Sequence, residues 1–318
     1  MAPLWVLLGP RRQPWEIAAL SLKDRIKAVV ERTTEAARPW AGRGRLRAFV
    51  FEFLIFGLKQ AWASLFGAAM LTLILATHYL WPAHAPIARY DFLVVAAVAL
   101  QVFMLATRLE RWDEALVILI FHVVGTAMEI FKTAHGSWIY PEANVLRIGG
   151  VPLFSGFMYA GIGSYIARCW RLMDLTFENF PPLWAPWLLA VLSYINFFTH
   201  HFGPDFRLAL FVFSALIWRR TWIDFTPDLE TRRMPLLVAA LLVALFIWIA
   251  ENLGTFAAAW VYPSQARGWS PVGPGKIGAW YLLVTLSFVL VTLVHRPRPA
   301  PGGAQGMSGL LFQIPPSP

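Results

Sequence analysis

The sequence predicts an all-α fold: a polytopic membrane helical bundle with eight transmembrane helices, built as two tandem four-helix repeats. Three observations predict it. Of 318 residues, 58% are apolar and only 14% charged, and mean hydropathy is +0.56; a soluble domain is nearer half apolar and a quarter charged. Eight apolar segments can be drawn, most of them close to the ~20 residues that cross a hydrocarbon core. The polar residues that interrupt these segments recur at one fixed offset along the chain, the mark of an internal repeat.

Residues 1–47 read as a basic cytoplasmic region with ten Lys and Arg. Within it, residues 15–38 place Ile17, Leu20, Ile26, Val29 and Val30 among charges, an amphipathic helix that can lie on an anionic leaflet or pack on cytoplasmic loops. Residues 1–9 are apolar but lack the charged start and small-residue cleavage site of a secretory signal, so the first span is expected to direct insertion. The first repeat, 48–174, holds spans at 58–81, 91–107, 112–134 and 152–171. The second, 175–295, holds spans at 183–201, 206–223, 234–257 and 274–294. The second span is short, and the sixth reaches full length only by taking in Arg219 and Arg220, which can snorkel. The Pro- and Gly-rich tail, 296–318, is expected to lack fixed structure.

With the N-terminus inside, 20 Lys and Arg fall on the cytoplasmic side and six on the other, with Lys59 at the start of span one. That asymmetry predicts a multi-pass inner-membrane protein with both termini cytoplasmic. It also explains the net charge of +9, so no nucleic-acid partner is expected; the bilayer is the expected partner. The single Cys169 excludes internal disulfides and thiolate metal clusters.

The repeat offset is 122, as between Glu129 and Glu251. It places Trp62 on Trp184, His78 on His200 and Pro82 on Pro204. It also places Trp138 on Trp260, Tyr140 on Tyr262 and Tyr159 on Tyr281. Chance identities in an apolar chain would be Leu or Ala, whereas these are Glu, His, Trp, Tyr and Pro. An even number of spans per unit makes the repeat parallel, with a pseudo-two-fold axis along the membrane normal. Equivalent residues are therefore expected to pair at equal depth.

Glu129 and Glu251 lie roughly 8 Å below the ends of spans three and seven, at 1.5 Å per residue. An intramembrane carboxylate faces the bundle interior or a wet cavity by default. With His78 and His200 near the ends of spans one and five, the pair forms a candidate acid–base site. Glu129 and Glu251 are its proton donor and partner, and the histidines are relays. Trp138, Tyr140, Tyr159, Trp260, Tyr262, Tyr281 and Asn252 are candidate substrate contacts. Trp-x-Tyr-Pro can fold over each Glu as a lid, although interfacial anchoring is the plainer role of these aromatics. The expected substrate is an apolar small molecule, isoprenoid or lipid. Proton-coupled transport and a non-catalytic scaffold are the alternatives. Four ligands from four spans lack metal-ligand spacing, so neither metal nor cofactor is expected. Neighbours on a helix point about 100° apart, so His200 and His201 are not expected to share a cavity. Lys132, His135, His201 and Asp205 differ between the copies and mark where a site can be asymmetric.

The segments GLKQAWASLFG, FKTAHGSWIYPE, GVPLFSGFMYAGIGSYIARCWRL and ENLGTFAAAWVYP resemble a bacterial integral-membrane family called YoaT-like, over about residues 50–295. The resemblance implies an inner-membrane protein and brings no activity. A local pattern of Glu129, Gly136, Tyr140 and Gly150-Val151-Pro152-Leu153 is similar to bacterial carotenoid hydratases, which implies water addition to an isoprenoid alkene. The second copy lacks Gly-Val-Pro-Leu.

Overall fold

A computed structural model describes residues 22–300. The expected helix over 15–38 appears from Leu22 onward as α1 (Leu22–Ala41), its first residues lying outside the described chain. Arg38 of α1 makes a bidentate pair with Asp228 (3.0 and 2.8 Å), which fastens α1 to a loop.

The remaining α-helices are α2 (Arg45–Ala63), α3 (Leu65–Leu80), α4 (Arg89–Ala106), α5 (Trp112–Ala134) and α6 (Phe154–Leu172), then α7 (Trp184–Thr199), α8 (Arg207–Trp218), α9 (Leu236–Phe256) and α10 (Lys276–Val291). The chain is mostly helical. By length and apolarity α4, α5 and α9 can cross a membrane, and a fourth span results if α2 and α3 are one broken segment. The first expected span is therefore not one straight helix. Ser64 directs both its N–H and Oγ to Gln60 O (2.9 Å each), which closes α2, and α3 departs at 70°. The fifth, sixth and eighth expected spans are shorter than drawn, at 16, 12 and 16 helical residues.

The structure also departs from all-α. After α8 the chain leaves the helix, and Trp222–Phe225 pairs antiparallel with Thr176–Glu178 and Arg232–Pro235 in a three-stranded sheet, with Trp222–Phe225 in the centre. Trp, Ile and Phe suit a half-buried strand as well as a span end, so apolarity alone could not separate the two. Arg233 pairs with Glu178 and Asp224 across the sheet. Part of the tail expected to be unstructured joins it: Phe177 N–H donates to Arg298 O (2.9 Å) and Ala300 N–H to Phe177 O (3.0 Å). We call this the sheet end. A two-residue hairpin, Arg147–Ile148 with Val151–Pro152, lies before α6 at the opposite, loop end.

The central helix is α6, buried along most of its length. Its small residues allow that. Gly161 lies against Gly67 of α3, and Gly156 and Gly163 face side chains of α5. Gly156→Ala would put a methyl 2.5 Å from His122 Nδ1 and Thr126 Oγ1. It is expected to cost about 1–3 kcal/mol by overpacking. A thermal melt of the purified protein in detergent checks this, and an unchanged midpoint would show that the α5–α6 seam can give way.

Buried Arg89 joins the two halves at the loop end. It donates to the carbonyls of Ala257 and Ala258 (3.1–3.2 Å) and pairs with Glu142 (2.9 Å). These are orphan carbonyls at the C-terminus of α9, where a cation also meets the negative end of the helix dipole.

Candidate functional site

The loop end is built by two matching chain reversals. After α5, Gly136 adopts φ +67°, and the N–H groups of Gly136 and Ser137 return to Thr133 O and Lys132 O (3.0 Å each). After α9, Ala258 adopts φ +53°, and the N–H groups of Ala258 and Ala259 return to Thr255 O and Gly254 O (3.0 Å each). This double hydrogen bond with one left-handed residue ends a helix and sends the chain back over it. The two loops then pair with each other: Ile139 and Val261 exchange both backbone hydrogen bonds at 2.9 Å.

Each reversal brings aromatics to a buried carboxylate. Glu129 Oε2 accepts from Trp138 Nε1 and Tyr140 Oη, and its Oε1 from Tyr159 Oη, all at 2.7 Å. Glu251 Oε1 accepts from Tyr262 Oη (2.6 Å) and its Oε2 from Trp280 Nε1 (2.7 Å). Burial raises the Tyr140 and Tyr262 phenols well above their usual range, as does the neighbouring carboxylate, so both remain protonated donors. The Trp138 ring meets the Tyr262 ring edge to face at 5.9 Å, so the two carboxylate nests touch.

The nests differ for a visible reason. At the position 122 residues after Lys132 the chain has Gly254, and the Trp260 ring fills the space a side chain would take there. Trp260 therefore packs on α9 rather than bonding Glu251 as Trp138 bonds Glu129, and Trp280 of α10 supplies the indole donor. Tyr281 likewise does not repeat Tyr159: its hydroxyl pairs with Ser214 Oγ (2.6 Å).

Both nests open on a cavity of about 990 Å³. Most of its wall is apolar, from Met70, Leu71 and Ile74 of α3 to Val243, Phe246 and Ile247 of α9, and it extends toward Phe53 and Phe225 at the sheet end. Glu129, Trp138, Tyr159, His200, Glu251, Trp260, Tyr262 and Tyr281 all line it, so most of the expected residues share one space. Three do not line it. Tyr140 lies behind Glu129, edge-on to Tyr90 and Phe154. Asn252 serves the backbone, donating to Trp248 O and accepting from Val272 N–H (2.8 Å each). His78 is exposed at the end of α3 against Tyr79 and Phe256, so the expected His78–His200 pair is not formed. The helix α7 ends at Thr199, and of the two histidines that follow only His200 lines the cavity, as expected. Their rings lie tilted 4.3 Å apart, and Lys132 Nζ reaches both Nε2 atoms at 3.2 and 2.7 Å.

Four residues that complete the cavity end were not singled out by sequence. Lys276 and Trp280 open α10, Arg207 opens α8, and Asn196 holds His200 through its carbonyl (2.7 Å). Their signal was weak, because Lys276 and Arg207 read as ordinary flanking cations. Arg207 holds the Asp205 carboxyl at about 2, by hydrogen bonds and charge. Among the described residues no group of three or more His, Cys, Asp or Glu gathers in metal-ligand fashion.

Comparison with known proteins gives a family and little chemistry. Residues 52–288 match the family model described as "Protein of unknown function (DUF817)". The chain is 42% identical over 247 residues to the uncharacterized protein YoaT of Bacillus subtilis (strain 168), covering 78% of this chain and 93% of that one. These agree with the YoaT-like resemblance and lend no support to the carotenoid-hydratase one. Among solved structures, a cross-linked MvINS trimer is similar at TM-score 0.43 and 13% identity, over 59% of this chain and 98% of that chain.

Proposed function

For a chain that belongs to the DUF817 family of proteins of unknown function, we propose an acid–base enzyme of the bacterial inner membrane that takes an apolar isoprenoid or lipid chain into its central cavity. The observation that carries this reading is Glu251, a buried carboxylate on the wall of a mostly apolar cavity. Its two donors leave acceptor capacity free, since an ionised carboxylate has about four lone-pair sites. Glu129 already accepts three and braces the lid loop. Glu251 is thus the proton-transfer group, Tyr262 its positioning donor, and Trp138, Trp260 and Tyr281 the walls against which the chain packs. A cavity near the upper end of the ~300–1,000 Å³ range of ligand pockets supports a substrate of that kind.

The architecture we propose for it is eight membrane crossings in two tandem four-helix repeats, both termini cytoplasmic. Support comes from the loop end. Ile139 and Val261, Gly136 and Ala258, and the Tyr140–Glu129 and Tyr262–Glu251 bonds are all related by the same offset. A mutual hydrogen-bond pair between equivalent residues is what a two-fold axis through Ile139 and Val261 would generate. The shorter helices then cross with the help of the flanking loops, tilted or in locally thinned bilayer.

The test is the lipid and pigment extract of a deletion strain, complemented with wild type or with Glu251→Gln. Wild type should restore the changed component, while Glu251→Gln should leave it reduced by about 10²-fold or more, as the usual 10²–10⁴ contribution of a general acid or base implies. Full complementation by Glu251→Gln would remove the enzyme reading. An unchanged extract together with substrate-dependent proton flux in vesicles would replace it by transport.

A further inference from the structure

At its loop end the cavity meets two lysine ammonium groups that form no ion pair among the described residues. Lys132 is buried at the end of α5. Its acceptors are the Nε2 atoms of His200 and His201, and its Nζ lies 4.4 Å from the Phe197 ring centroid. His200 places Nδ1 against Asn196 O (2.7 Å), which leaves its Nε2 lone pair for Lys132. Lys276 Nζ sits 4.5 Å from the Tyr262 ring centroid and 5.8 Å from that of Trp138. Among the described residues it has no hydrogen-bond acceptor, and neither lysine has a carboxylate within the 4.0 Å of an ion pair. Of the nearby carboxylates, Glu129 is bonded by one indole and two phenols and Asp205 is paired with Arg207, while Glu251, bonded by Tyr262 and Trp280, lies within electrostatic reach of Lys276 without closing to an ion pair. An ammonium carries three N–H donors, and a half-buried one without an acceptor is unfavourable. Lys132 also lies within electrostatic reach of Lys276 and Arg207, with Asp205 the one opposing charge acting on it, so an anion between the lysines would relieve the remaining repulsion. Below these cations the wall becomes apolar, toward Met70, Ile74 and Val243.

We propose that Lys132 and Lys276 form a head-group site that binds the anionic oxygens of a phosphate or carboxylate, the polar end of an amphiphile whose chain occupies the cavity. The proposal rests on the cavity being the chain-binding site, and it adds what the head must be. Charge-assisted hydrogen bonds from two ammonium groups to an oxyanion are shorter and stronger than neutral ones, while the cavity contributes the hydrophobic part of the affinity. A free phosphate could satisfy the lysines, but it would leave the apolar wall unused.

The test uses the full-length protein in uncharged phosphatidylcholine nanodiscs, with radiolabelled dodecyl phosphate as ligand and dodecanol and inorganic phosphate as competitors. Dodecyl phosphate should bind at least about tenfold more tightly than either competitor, a margin of 1.4 kcal/mol. Lys132→Gln and Lys276→Gln should each erase most of the preference over dodecanol while dodecanol still binds. Their thermal midpoints should stay near wild type, so that misfolding is not read as lost binding. Equal binding of dodecanol and dodecyl phosphate would overturn the head-group site and leave chain binding intact. Equal binding of inorganic phosphate would overturn the amphiphile and leave an anion site. Failure of all three to bind would overturn the cavity reading as well.

Discussion

Replacing Glu129 by Ala should remove a large part of the protein's stability. Three buried donors, Trp138 Nε1, Tyr140 Oη and Tyr159 Oη, converge on that carboxylate. Each buried donor left without a partner costs about 1–3 kcal/mol, and water entering the vacated space can recover part. We expect a loss of about 3–6 kcal/mol, against a whole-domain stability on the order of 5–15 kcal/mol. Glu129→Gln should be far milder, about 1 kcal/mol. Its amide oxygen can keep the Trp138 and Tyr140 bonds, and its NH₂ can face Tyr159, whose hydroxyl can turn to accept. Thermal midpoints of the two variants in detergent separate the cases. If Glu129→Ala melts like wild type, the carboxylate does not brace the lid. Glu251, with one donor fewer, should tolerate Gln structurally and lose function, so the two acids are expected to divide the work rather than share it.

The second large effect is expected at Arg168. This side chain is fully buried between α2, α5 and α6, 3.6 Å from Glu110 and 4.0 Å from Glu114, and it donates to the carbonyls of Trp62 and Leu109. Glu110 also accepts from Gln101 (2.6 Å) and Ser164 (3.2 Å), and Glu114 from Arg171 (2.8 Å). Arg168→Met should cost about 3–5 kcal/mol, because it leaves Glu110 buried without a counter-charge. Adding Glu110→Met should recover most of the loss, since Glu114 keeps Arg171 and an apolar pair of similar volume is close to neutral. Denaturation of the single and double variants checks this; a double variant no better than the single would show that the network is not organised around that pair. Arg168 is one of the 20 Lys and Arg on the expected cytoplasmic side, and its burial gives it a packing role as well.

These two sites show how far the sequence could be read. Trp138 and Tyr140 reach Glu129 across nine and eleven residues, and Tyr262 reaches Glu251 across eleven. Such contacts follow from one helix ending and reversing at Gly136 or Ala258, so the phrase Glu…Trp-x-Tyr-Pro already contained them. The 122-residue offset between the two Glu…Trp-x-Tyr-Pro phrases is legible for the same reason, because it is a property of the chain and not of its packing. The mostly helical, apolar character was set by composition.

Packing decided the rest. Trp280 rather than Trp260 bonds Glu251 because Gly254 leaves room for an indole where Lys132 stands in the other copy. His201 joins Lys132 because α7 stops at Thr199, and His78 stays out because α3 ends exposed. The three-stranded sheet formed where a strand and the end of a span have the same apolar residues. By itself the sequence determined an apolar helical chain, two copies of an acid-and-aromatic loop, and the partners within one turn-back of each acid. Only the tertiary structure decided which cations at the cavity end form no ion pair and which buried ones, such as Arg168, have one. That depends on side chains brought together from 57 to 69 residues apart, a proximity fixed by how helices pack and not by any spacing along the chain.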